Sequence, residues 1–112
     1  MDQELAETAE SPVLEYGIEL GENGCMTWSK ALEEVAKLNE KLNKGEKPWR
    51  LPTAQELIDA RKSNIPGFHE SETSNYWSSE EFDNNMAYGV NMKHGNGFAL
   101  NKSGKDYARC VR

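Results

Sequence analysis

The feature that most constrains this chain is the order in which its hydrophobic period changes. Between Val13 and Leu20, the residues Leu14, Tyr16, Ile18 and Leu20 alternate with Val13, Glu15, Gly17 and Glu19. That two-residue period predicts a strand with one buried face. Gly21-Glu22-Asn23-Gly24 then predicts a turn, because Asn and Gly tolerate positive φ. Next the period lengthens. Trp28, Ala31, Leu32, Val35, Leu38 and Leu42 fall on one stripe at helical spacing, Thr27 is placed to cap it, and the other side carries Lys and Glu. Lys44-Gly45 is expected to end this helix, and Pro48 keeps the approach to Trp49 extended. Thr53-Ala54-Gln55-Glu56 spells a capping box, so a second helix is predicted from about Ala54 to Arg61.

After the helices the period is lost, from Ser63 to Asn75, in a stretch rich in Ser, Asn, Pro, Gly, Glu and Thr. It reads as a long loop, and loops of this length in compact domains are often functional. Tyr76-Trp77-Ser78-Ser79 opens a second strand region. Met86, Tyr88, Val90 and Met92 then alternate with Ala87, Gly89 and Asn91, and Lys93 to Gly97 turn the chain into Phe98-Ala99-Leu100-Asn101. A last segment runs from Tyr107 to Arg112. The expected architecture is α+β, with two helices packed on a small twisted antiparallel sheet, long loops, and the first strand beside the last.

With 112 residues the chain is expected to form a single domain over 12–112, preceded by a loose acidic tail over 1–11 that has too little apolar content to order itself. Thirteen basic against nineteen acidic residues give a net charge of -6, which repels phosphate backbones and anionic membrane surfaces. Neither nucleic acid nor membrane is an expected partner. No apolar run approaches a membrane span, and the first residues lack the basic end and apolar centre of a signal peptide, so the chain as written reads as cytoplasmic, or exported if a leader has been removed.

Three short motifs punctuate this pattern: Trp49-Arg50-Leu51-Pro52-Thr53, Tyr76-Trp77-Ser78-Ser79 and Arg109-Cys110-Val111-Arg112. Occurring together in this order, they resemble the bacterial and phage family DUF1566, the Lcl C-terminal domain. The resemblance covers roughly Met26 to Arg112. It implies a C-type-lectin-like fold, related to formylglycine-generating enzymes and to the variable binding proteins of diversity-generating retroelements. It also implies that Cys110 pairs with a cysteine of the first helix, but Ala31, Leu32, Val35 and Leu38 occupy that helix here. Cys25 precedes it, and two reduced thiols are expected.

Trp28, Trp49, Arg50, Trp77 and Arg109 are expected to be structural, with Trp49 and Trp77 in the core and Arg50 using its fork of donors on loop carbonyls or a carboxylate. Catalytic signatures fail one by one. The formylglycine relatives need two neighbouring cysteines near the carboxyl end, where this chain has only Cys110; there is no Gly-x-Ser-x-Gly elbow and no glycine-rich phosphate loop. His69 and His94 have no zinc-ligand spacing, and the oxygen-rich run Glu80 to Asn85 lacks the signatures of calcium-dependent lectins. No cofactor and no metal are expected.

What remains is a recognition surface. In the lectin-like fold partners meet loops and strand ends on the sheet side away from the helices, which corresponds here to Glu80, Glu81, Asp83, Asn84, Asn85, Tyr88, Asn91, Lys93, His94, Asn96 and Phe98. This mixture of aromatics, amides and one histidine suits adaptable contact. The expected function is a non-enzymatic module that binds a protein partner. The alternatives are a carbohydrate or cell-surface adhesion domain, and an enzyme whose site is assembled in space.

Overall fold

A computed structural model describes residues 14–21 and 24–112. The expected acidic tail, Val13 and the turn residues Glu22 and Asn23 lie outside the described residues. The elements run β1 (Tyr16–Glu19), β2 (Cys25–Met26), α1 (Trp28–Glu40), α2 (Ala54–Lys62), β3 (Asn75–Glu81), β4 (Met86–Asn91), β5 (Gly97–Asn101), β6 (Asp106–Tyr107) and β7 (Arg109–Val111). The domain is α+β. β1 and β7 make a two-stranded antiparallel sheet, and the other five strands form one sheet in the order β2-β6-β3-β4-β5.

The helices follow local chemistry. Thr27 caps α1 by accepting from the Lys30 amide, and α2 opens with both halves of a capping box between Thr53 and Glu56. α1 stops at Glu40, ahead of the expected Lys44-Gly45 end, because Asn39 folds back and takes both polar groups of the Trp49 backbone: its Oδ1 accepts from the Trp49 amide at 2.7 Å and its Nδ2 donates to the carbonyl at 2.9 Å. Leu42 therefore falls past the helix, and Leu32 stays 40% exposed.

Three expectations about the strands are corrected. First, the sheet is mixed rather than antiparallel. β6 runs parallel to β3, pairing Tyr107 with Tyr76, while the β3–β4 and β4–β5 pairs are antiparallel. The last segment is split to do this: Asp106–Tyr107 joins the large sheet, and Arg109–Val111 leaves it for β1. Second, the first strand does not keep a clean alternation. Its register against β7 shifts between Tyr16 and Glu19, leaving Ile18 83% exposed and turning Glu19 inward. Third, the helices do not share one side of the sheet. Successive strand residues face opposite ways, so Tyr76 and Trp77 enter two different cores. Trp77 and Ala87 pack with Ala31 and Val35 of α1, together with Leu20, Met26, Leu51, Ala108 and Cys110. Tyr76, Val90 and Met92 pack with Leu57 and Ala60 of α2.

The motif residues hold these layers together. Trp77 is fully buried and donates through Nε1 to the Met26 carbonyl at 2.8 Å. Trp28 donates to the Ser78 carbonyl at 2.9 Å. Trp49 is half-buried against the α1-side core, with the Arg112 guanidinium 4.1 Å above its ring. Arg50 grips Glu56 with two bonds of 2.7 and 2.8 Å, while its backbone pairs with Val111. Its guanidinium holds the Glu56 carboxyl below the usual range. Arg109 donates to the carbonyls of Gly17 (2.7 Å) and Pro66 (2.8 Å) and stacks on Phe68.

Candidate functional site

β4 decides how the expected recognition residues are distributed. The β3–β4 turn carries Asp83, Asn84 and Asn85 at one end of this strand, and the β4–β5 turn carries Lys93, His94 and Asn96 at the other. Six residues of strand separate them, about 20 Å at roughly 3.3 Å per residue. They do not form one face. Tyr88 and Phe98 are divided as well, because Phe98 pairs with Gly89 on the Trp77 side while Tyr88 pairs with Ala99 on the Tyr76 side.

At the β4–β5 end Asn91 is turned inward while Lys93, His94 and Asn96 stay exposed. Asn91 is only 5% exposed; its Oδ1 accepts from the amides of Lys93 and His94, both at 3.0 Å, and its Nδ2 donates to the Glu72 carbonyl and to Asn75. It shapes the turn rather than meeting solvent. An Asn91→Ala change would leave the Lys93 and His94 amides without their acceptor and disturb the turn, so it cannot isolate a binding role. Lys93 and His94 both face Glu72, at 3.3 and 2.8 Å, and Asn96 gives its carbonyl to the Asn91 amide.

At the β3–β4 end the carboxylates diverge. Glu80 and Glu81 belong to β3 rather than to a loop. Glu80 accepts from the Ala54 amide at the start of α2 (2.8 Å), Glu81 pairs with Lys102, and Asp83 folds onto the amides of Asn85 and Met86, both at 2.8 Å. Among the described residues no three His, Cys, Asp or Glu side chains gather as a metal set. Phe82 lies inside this stretch, 53% exposed, with its ring edge-on to Tyr88 at 5.4 Å. Met86, Tyr88 and Ala99 share that side of the sheet and are half-buried, whereas Val90, farther along, is covered by α2. The result is an apolar strip with an aromatic pair at its rim, just beyond the start of α2.

Sequence reasoning missed a second constellation. The register shift in β1 aims Glu19 at Tyr76, whose hydroxyl donates to it at 2.6 Å; the same hydroxyl accepts from the His69 amide at 2.9 Å. The His69 ring lies 3.1 Å from the other Glu19 oxygen and stacks on Tyr107 at 4.4 Å. Burial and the carboxylate acceptor push the Tyr76 hydroxyl far above its ordinary value, so it acts as a fixed donor. Cys25, the cross-strand neighbour of Tyr107, is free, and so is buried Cys110. Burial raises both thiols, with Asp106 and Glu19 adding to the effect at Cys25, which keeps them protonated and poorly nucleophilic at neutral pH. Cys25 also lines an open groove of about 600 Å³ with Met26, Lys30 and Lys105. The one hint in the sequence was the aperiodic loop that carries His69.

No helix among the described residues is long and apolar enough to cross a membrane. No curated protein matches the chain. The three motifs lie where the layers meet, with Arg50 bridging to β7, Tyr76 and Trp77 dividing the two cores, and Arg109 tying β7 to the long loop. In keeping with that placement, the family model of the Lcl C-terminal domain, the DUF1566 family, matches residues 6–112, and the chain belongs to that family.

Proposed function

We propose that this domain is a non-enzymatic interaction module of the C-type-lectin-like type, of bacterial or phage origin, which binds a protein partner through the β3–β4 hairpin. The observation that carries the reading is the exposed Phe82, set edge-on against Tyr88 at the open end of a sheet face that α2 covers only in part. Exposed aromatics backed by a rigid scaffold are the usual anchors of protein interfaces. The scaffold is rigid here: the hairpin root is fixed by the Ser79 amide donating to the Pro52 carbonyl and by Glu80 on α2.

The test is affinity capture from a lysate of the source organism with the wild type and with Phe82→Ser, which removes an exposed ring and should leave the fold intact. A protein held by the wild type and released by the variant is the expected result. Identical retention by both would overturn the reading.

A further inference from the structure

Two carboxylates stand beside the Phe82–Tyr88 strip in fixed positions. The Glu80 Oε1 is held by the Ala54 amide, and the Asp83 Oδ1 is held by the amides of Asn85 and Met86. Each side chain is therefore oriented by one oxygen, and the other oxygen has no protein donor among the described residues. Both residues are exposed. Glu81, by contrast, is paired with Lys102, which also donates to the Asn84 carbonyl at 3.3 Å, so Lys102 is already engaged on the hairpin. An apolar floor of Phe82, Met86, Tyr88 and Ala99 thus has a rim of two carboxylates that, among the described residues, have backbone donors and no side-chain cation.

We infer that the occupant of this strip is a basic protein segment, one that places an aliphatic side chain on Phe82 and Tyr88 and a neighbouring Lys or Arg against Glu80 and Asp83. This rests on the reading of the hairpin as the binding surface and names the chemistry of its partner. Carboxylates already aligned by backbone donors lose little freedom on meeting a guanidinium or ammonium, and complementary charge at a rim governs which partner is accepted. The aromatic floor provides most of the affinity, because a rim charge alone is weak in water.

The probe is an acetylated, amidated hexapeptide alternating arginine and leucine. It is titrated into the nitrogen-15-labelled domain beside two controls, one alternating glutamate with leucine and one alternating arginine with serine. Amide shifts confined to residues 79–89 and 97–101 are expected for the arginine-leucine peptide, weakening as salt is added. Phe82→Ser should weaken it about tenfold. Glu80→Gln with Asp83→Asn keeps the oxygens that accept from the backbone and removes only the charge; it should weaken the peptide several-fold while leaving the domain's own spectrum in place. No shifts with the arginine-leucine peptide, shifts mapping elsewhere, or no loss in the charge-neutral variant would each overturn the inference. Equal binding of the glutamate-leucine peptide, lost with Phe82→Ser, would also overturn it while leaving the hairpin as the binding surface. Insensitivity of both capture and titration to Phe82→Ser would remove the surface itself.

Discussion

The two sides of the five-stranded sheet solve the same packing problem with different chemistry. Under α1 the core is largely apolar and its specificity is one of shape: Trp77 fills it, Ala31, Ala87 and Ala108 leave room for the indole, and the one polar atom of that indole is bonded to the Met26 carbonyl. Under α2 the core is aromatic and bonded. Tyr16, Phe68, Tyr76 and Tyr107 meet edge-on or stacked, and Glu19, His69 and Arg109 tie them to a loop and to β1. A dry core depends on volume, whereas a bonded one depends on every donor finding its acceptor. Two consecutive residues, Tyr76 and Trp77, therefore fail in different ways.

The sharpest break is Trp77→Ala. Emptying a fully buried indole should cost about 3–5 kcal/mol, a large part of the about 5–15 kcal/mol that holds a domain of this kind together. Denaturant unfolding should show the midpoint collapsing. Tyr76→Phe keeps the ring and removes only the hydroxyl, which leaves the Glu19 Oε2 without its donor and the His69 amide without its acceptor. A loss of about 1.5–3 kcal/mol is expected, with faster hydrogen exchange at His69 and little change around Trp77. An unchanged midpoint would mean that the α2 side, too, is held by shape alone.

Gly89→Ala probes the shape-dependent side from the strand opposite Trp77. A Cβ there would run into the Leu100 side chain and approach the Tyr76 carbonyl to 2.9 Å, so a loss of about 1–3 kcal/mol is expected. Leu100→Ala in the same chain should recover part of it, because the side-chain overlap is relieved and the backbone contact is not. The smallest effect is expected at the tie between the sides, where Arg50 beside β7 holds Glu56 of α2. The Glu56 carboxyl lies below its ordinary 4.5 in the folded state, so its contribution is complete above that value and is lost as pH falls through the lowered one. Glu56→Gln should lower thermal stability slightly at neutral pH, by under about 1 kcal/mol for this partly exposed pair. The gap between wild type and variant should close in melting curves taken from pH 4.5 downward.

The parts of this fold legible in the sequence were those written in local chemistry. Thr27 and Thr53 cap helices through residues three positions away, and Trp28, Ala31, Val35 and Leu38 of the expected stripe do face the core, whereas Leu32 and Leu42 do not. The parts that were not legible depend on distant pairing. The parallel β3–β6 pair joins Tyr76 to Tyr107, and nothing local to either strand announces it. Glu19 looked like a solvent-facing member of an alternating strand; only the irregular register against β7 turns it toward Tyr76. The candidate site shows the same division. Glu80 and Tyr88 were singled out through the family resemblance, but the exposure of Phe82 is a tertiary fact, and so is the distance that β4 sets between the two turns. Asn91 illustrates the converse error, an amide that reads as a surface group in a turn and is buried as the turn's organiser.

The pairing of β1 with β7 has a temporal side. Arg112 and Glu15 exchange two backbone bonds of 2.9 Å, and Arg109 reaches the Gly17 carbonyl across 92 positions. β6 and β7 are made after every other segment of both sheets, so until the ribosome has delivered them the nascent domain holds Tyr76 without Tyr107 and β1 without a neighbour. Loops this wide close slowly. Closing those two pairings is therefore the step that completes the stack of Tyr76 on Tyr107 and covers the edge of β1.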